Sequence, residues 1–235
     1  MLCAEVMTEL ESMGSEQTVN ILRNQGAEGA LFGVKVGDMK KILKRTKKDH
    51  ALALELYRTG NLDAMYLAGL MADARKVSGE ELDSWAQAST WHMVAEYAVA
   101  GLAAESPHGW NMGLKWIDAP EDHVQSAGWA TLSGVAAMHG DADLDLTALE
   151  TLLNRVATNL AGAGNRTRYT MNGFVIAIGC YVSPLAAKAM TVAEGLGKVQ
   201  VNMGTTGCKV PHAPDTIKKI AGMGRQGQKR KKVRC

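Results

Sequence analysis

Apolar residues recur at three- and four-residue spacing along almost the whole chain, the period of one face of an α-helix. Leu146, Leu149, Leu153, Val156 and Leu160 form one such stripe. Val36, Met39, Ile42 and Leu43 form another, with Lys40, Lys41, Lys44 and Lys47 spread over the rest of that helix. Start signals accompany the stripes. Ser15 precedes a periodic segment, Asn61 is placed to cap a helix running through Met71, and Ser78 with Glu81 fits a capping box. Pro107, Pro120 and Pro184 stand at helix starts or breaks. The pattern predicts about a dozen helices, over 2–13, 15–25, 36–47, 49–59, 61–74, 79–88, 91–105, 109–118, 121–138, 145–162, 166–181, 184–196 and 213–221. One stretch departs from it. In Lys198 to Val210, Val199, Val201 and Met203 alternate with polar residues before Gly204 and Gly207, as in an extended segment or a small hairpin.

Helices of similar length joined by short turns, with pairs recurring at roughly 30–40 residues, are the mark of helical solenoids. The expected fold is therefore all-α, with antiparallel helix pairs stacked into a curved solenoid; a compact bundle is the alternative. No linker rich in Pro, Gly or Ser divides the chain, so residues 1–224 read as one domain and 225–235 as a basic tail. A stacked solenoid has a concave surface, and a duplex fits there if basic residues line it. Helix N-termini pointing inward would add free N–H groups for phosphate.

Composition narrows the class. Hydrophobic residues make up 46% and charged residues 21% of 235, which excludes a disordered chain. No apolar run approaches the roughly 18 residues of a membrane span. The first residues, MLCAEVMTELESMG, have no basic start before a long apolar core, so no secretory signal is expected. Cys3, Cys180, Cys208 and Cys235 are dispersed, as in a cytoplasmic protein with free thiols.

Charge changes the picture more. The net charge is only +2, yet Lys35 to Lys48 carries seven basic residues against one acid, and Arg225 to Cys235 carries six against none. Each segment is a local +6, which leaves −10 on the remaining residues. An acidic body with two concentrated basic segments favours a polyanion held at a defined place; the alternative is a solubilising tail and a solvated helix face.

Candidate chemistry is sparse. Trp85, Trp91, Trp110, Trp116 and Trp129 crowd one third of the chain, as base-stacking surfaces or as core. Glu96 is the acid nearest Trp91 that could face a groove, where a carboxylate beside an aromatic wall can stabilise a cationic sugar; otherwise it is a solvated glutamate. Arg166 and Arg168 begin a helix ahead of Tyr169, either as bidentate phosphate ligands or as helix-end charge. Cys208 and His212 make a C-x3-H pair without a second pair nearby, so no metal site is expected. No phosphate-binding loop, dinucleotide fingerprint or serine-hydrolase elbow is present, and no cofactor is expected.

The segment Leu31 to Ala74, with Phe-Gly-Val ahead of a basic helix and a leucine-rich helix, resembles the DNA alkylation repair family of AlkD-type glycosylases. The Thr90 to Tyr97 segment looks like that family's catalytic helix start, and Asn165 to Tyr181 like its last aromatic-bearing helix; the resemblance spans roughly residues 15 to 221. It implies HEAT-like repeats with a concave cationic groove for duplex DNA. The family's Trp-x-x-x-Asp pattern places Trp91 on the first Trp but Ala95 on the catalytic Asp, with Glu96 one position off. The groove Arg falls at Ser126 and the second Trp at Phe174. On a regular helix Glu96 is rotated about 100° from the required direction.

The resemblance thus implies a DNA-binding member that recognises damaged or unusual, double-stranded or branched DNA, with catalysis weak or absent. Trp91, Ser126 and Phe174 would face the lesion. Lys40, Lys41, Lys44, Arg45, Lys47, Lys48, Arg166, Arg168, Lys229, Arg230, Lys231 and Lys232 would meet phosphates. The alternatives are an N-glycosylase releasing alkylated purines, with Glu96 catalytic, and a helical scaffold for protein or RNA. A monomer associated with the bacterial nucleoid is expected.

Overall fold

The predicted stripes fold as helices. The computed structural model describes residues 1–234, among which there is no strand; Cys235 lies outside the described residues. The α-helices are α1 (Cys3–Met13), α2 (Glu16–Asn24), α3 (Val36–Thr46), α4 (His50–Arg58), α5 (Leu62–Met71), α6 (Gly79–Ala88), α7 (Ala100–Ala104), α8 (Gly109–Trp116), α9 (Asp122–Met138), α10 (Leu146–Asn159), α11 (Asn165–Tyr181), α12 (Ala186–Leu196) and α13 (Ala213–Gly222). A π-helical segment, Met93–Val99, runs directly into α7. The expected caps are present. Ser15 and Asn61 accept backbone N–H bonds at the starts of α2 and α5, and Ser78 with Glu81 closes the capping box of α6.

Successive helices pair in the manner of HEAT-like repeats. α4 packs on α5, α8 on α9, and α11 lies against both α9 and α12. The second members of the pairs, α5, the π–α7 segment, α9 and α11, stand side by side in one layer. They run parallel, because the N-terminal parts of the π segment, α9 and α11 meet at one end and one strand of chain touches all the C-terminal ends at the other. α5 is buried along its whole length, because α1, α3 and α4 cover it on one side and the π segment on the other. A Cβ on Gly69 would stand 2.6 Å from the Ala98 Cβ, so glycine sets how closely α5 approaches the π segment.

The tryptophans are mostly core. Trp85 stacks on Tyr57 with ring centroids 3.9 Å apart, and Trp129 meets Phe174 edge to face at 5.2 Å. Trp116 donates its indole N–H to Asp83 at 2.9 Å. Four of the five, Trp85, Trp91, Trp116 and Trp129, are buried, and Trp110 is partly so. Wide rings fill the gaps between stacked helix pairs, where small residues such as Ala and Gly bring the backbones close.

The Phe-Gly-Val stretch has a structural explanation. The buried Asp63 carboxylate accepts from the backbone N–H groups of Phe32, Gly33 and Val34 at 2.6, 2.9 and 3.2 Å. Gly33 adopts φ +79°, open to glycine at low cost, and turns the chain so that successive N–H groups converge on one carboxylate. This clamp fixes where α3, and therefore its lysines, leaves the body.

Two expectations change. Residues 91–105 do not form one regular α-helix, because the middle is π-helical. Lys198 to Val210 forms no hairpin strands; it is an irregular loop pinned to α11 by a reciprocal pair of bonds between Asn165 and Asn202, at 2.9 and 2.7 Å.

Candidate nucleic-acid site

The N-terminal parts of the π segment, α9 and α11 converge on a buried ion pair. Arg166 donates to Glu96 through Nε at 2.8 Å and Nη2 at 2.5 Å, a bidentate fork that satisfies both carboxylate oxygens. The Glu96 side chain is 2% exposed and that of Arg166 17%. Three local features bring the two together. In the π segment the Ala100 N–H reaches back five residues to the Ala95 carbonyl. Glu96 lies within that wider turn and faces α9 and α11. From α9, Asp122 accepts from the Arg166 and Thr167 N–H groups at 2.9 Å each, capping α11 from a neighbouring helix. Gly164 is required for that approach, since a Cβ there would lie 2.1 Å from Asp122 Oδ1.

Burial holds the Glu96 carboxyl above its ordinary range, and the Arg166 guanidinium offsets this only in part. Burial of Arg166 would lower it, but Glu96 outweighs this and holds the guanidinium above its ordinary range. The two-pronged geometry closes the groups on each other. A carboxylate so neutralised has little negative potential to offer a developing cation elsewhere.

Above the pair lies a recess of about 560 Å³, lined by Arg23, His92, Tyr97, Arg166, Tyr169 and Met203 among others. The Arg166 guanidinium stacks over the Tyr169 ring at 4.4 Å, and Tyr97 is the exposed aromatic of the rim. The loop around Met203 covers one side. Arg23 is spent on its own loop, donating to the Ala27 and Gly29 carbonyls at 2.7 Å each. The recess is thus a cleft with aromatic walls and a charge-balanced floor.

His92 is neutral there. Burial, and then the Arg166 charge, lowers its pKa from 6.5 to about 4. The folded state binds this proton more weakly than the unfolded state, so stability is full above about pH 6.5 and falls as pH drops toward 4. The loss expected from this group is at most about 3 kcal/mol. Denaturant unfolding at pH 7 and pH 4.5, compared between the wild type and His92→Gln, measures it; an unchanged pH difference in the variant refutes the assignment.

The residues read as lesion-facing do not share an open surface. Phe174 and Ser126 are 0% exposed, Phe174 packed on Trp129 and Ser126 donating to the His123 carbonyl. Trp91 is buried, its indole 3.4 Å from the Gln25 carbonyl. Ser126 does border the Glu96 carboxylate, as the resemblance implies, but inside the protein. Arg166 is an ion-pair partner with little surface for phosphate, and Arg168 is half-buried with its Nε shielded and unpartnered among the described residues. Sequence reasoning missed the Glu96–Arg166 pair and Tyr97; the two charges are 70 positions apart and meet only in the folded chain.

Lys40, Lys44, Lys47 and Lys48 are exposed without an ion pair among the described residues, while Lys41 pairs with Asp38 and Arg45 with Glu9. Residues 225–234 lie on the body. Lys229 pairs with Asp141 at 2.8 Å, and Arg230, Lys231 and Lys232 are exposed. His212 pairs with Asp215 rather than with Cys208, and no three potential metal-ligating acids, cysteines or histidines cluster among the described residues.

Comparison with known proteins agrees with this architecture. The model of the DNA alkylation repair enzyme family matches residues 6–194. An uncharacterized protein of Listeria innocua, Lin0241, is 37% identical over 218 residues, covering 90% of this chain and 94% of its own. Another from Listeria monocytogenes, Lmo0209, is 36% identical with the same coverage. A solved structure described as "a new family of proteins related to the HEAT-like repeat DNA glycosylases with affinity for branched DNA structures" superposes with a TM-score of 0.90 at 34% identity, covering all of both chains. By sequence and by fold, the chain belongs to the DNA alkylation repair enzyme family of HEAT-like repeat proteins.

Proposed function

We propose that this protein binds branched DNA and does not release bases from it. The observation that carries the reading is the closure of Glu96 on Arg166. The carboxylate nearest the recess is engaged on both oxygens, so the recess has an aromatic rim without a free acid. Such a cleft accepts an unstacked base from a junction by contact with Tyr97 and Tyr169, but offers nothing to stabilise a sugar cation. The α3 lysines supply sequence-independent phosphate contacts, and the acidic remainder of the surface confines DNA to the basic areas. The affinity for branched DNA described for the similar solved structure supports the same substrate class.

Fluorescence anisotropy with a three-way junction and a linear duplex, each at several salt concentrations, tests the binding. Log K is expected to fall linearly with log salt, and Lys40→Glu/Lys44→Glu to reduce the slope by about 1.8 on the usual value per phosphate contact. A flat salt response refutes the reading. Incubation with duplexes carrying N7-methylguanine or N3-methyladenine tests the chemistry: base release above background by the wild type, abolished in Glu96→Gln, would establish a glycosylase instead.

A further inference from the structure

The last described residues form a docked strap. Gln226 and Gly227 donate to the Gly179 and Cys180 carbonyls at the end of α11, at 3.0 and 2.8 Å. Lys229 Nζ donates to the Ala136 carbonyl and Arg230 N to the Ala137 carbonyl, at the end of α9. Val233 N and Arg234 N both donate to Oε1 of Glu105, just past α7, and the Arg234 guanidinium donates through Nε and Nη2 to its Oε2 at 2.9 and 2.7 Å. Arg234 Nη1 also donates to the Gly69 and Ala72 carbonyls at the end of α5, at 2.8 Å each. Four parallel helices present unsatisfied carbonyls and the negative ends of their dipoles on this side, and a basic strap is the natural complement.

Anchoring uses only some of the cations. Lys229 and Arg234 turn inward onto Asp141 and Glu105. Arg230, Lys231 and Lys232 stay exposed, without an ion pair among the described residues, and with Arg225, Tyr181 and Ile220 they line a recess of about 680 Å³. Partial burial and then the Arg234 charge hold the Lys48 amine below the ordinary lysine range. The strap's exposed cations lie on the side of the helix C-terminal ends. That side lies at the opposite end of α11 from the aromatic recess: Arg166 and Tyr181 are separated by about 22 Å at 1.5 Å per residue.

We infer that the docked strap is a second phosphate-binding platform, which holds one duplex arm of a branched DNA while the aromatic recess, some distance away, engages the branch. The inference rests on the DNA-binding reading and deepens it. Cations held on a fixed backbone lose less freedom on binding than those of a loose tail. Two separated contact regions on an otherwise acidic body favour a substrate with arms in two directions.

The test is the full-length triple variant Arg230→Glu/Lys231→Glu/Lys232→Glu, whose changes are all exposed, compared with wild type by anisotropy on a three-way junction and on a linear duplex. A thermal melt confirms that the fold is unchanged. The expected result is a loss of junction affinity of tenfold or more, a junction salt slope lower by about 2.7, and a clearly smaller loss on the linear duplex, which lacks the branch that the recess engages. Equal losses on both substrates would overturn the two-arm arrangement, and an unchanged junction affinity and slope would overturn the platform. If wild type binds neither DNA, the proposed function itself fails and takes this inference with it.

Discussion

Replacing Glu96 with alanine is expected to lower the free energy of unfolding by about 3 kcal/mol or more. The substitution leaves Arg166 in a site built for an ion pair, 17% exposed and held in place by Asp122 capping its helix. Removing one member of a buried pair typically costs about 3–5 kcal/mol, because the other charge keeps its desolvation penalty without its partner. Glu96→Gln retains hydrogen-bond acceptors but not the charge, and is expected to lose less. The double variant Glu96→Leu/Arg166→Met removes both charges at similar volume and is expected to regain most of the stability, since an apolar replacement of a buried pair is often near neutral. Urea denaturation of wild type, Glu96→Leu, Arg166→Met and the double variant completes a double-mutant cycle, with Glu96→Ala and Glu96→Gln measured beside it. A cost below about 1 kcal/mol for Glu96→Ala would mean that the pair is not closed in solution, and the argument against catalysis would fail with it.

Arg234→Ala is expected to cost about 2–3 kcal/mol although the residue lies next to the C-terminus, where truncation is usually harmless. Its guanidinium makes four hydrogen bonds, two to Glu105 and two to carbonyls at the end of α5, and its stem fills a groove that exists only because residue 101 is glycine. Hydrogen bonds to charged groups contribute about 1.5–3 kcal/mol net. Lysine at this position lacks the planar fork and is expected to restore less than half. The effect is pH-dependent with a definite sign. Burial pushes Glu105 up, but Arg234 prevails and holds it below its ordinary value of 4.5. The contribution is therefore full above about pH 4.5 and fades as acid protonates the folded carboxylate. Urea midpoints of wild type and Arg234→Ala that coincide at pH 7 would show that the strap is not anchored by this residue.

Much of the helical architecture was legible in the chain. Ser15, Asn61 and the Ser78–Glu81 box mark true helix starts, because caps act on backbone groups within three residues. Stripes such as Leu149, Leu153 and Val156 mark buried faces, because a helix exposes every third or fourth residue to the same neighbour. The segregation of charge was equally plain, since a net charge is a sum over residues and needs no fold.

Tertiary structure decided the site. The tryptophans read equally well as stacking platforms or as core until their neighbours were known; Trp129 on Phe174 and Trp85 on Tyr57 settle them as packing. Glu96 stands one residue away from the expected acid, within a π turn that no local propensity announces. Its meeting with Arg166 depends on three helices stacking in register. So does the strap, whose basic residues look alike in sequence but divide into inward anchors and outward cations only where helix ends present their carbonyls. Capping and periodicity are short-range and written in neighbouring residues. Which charges are neutralised and which remain free depends on contacts across 70 to 165 positions, and only the folded chain brings those groups together.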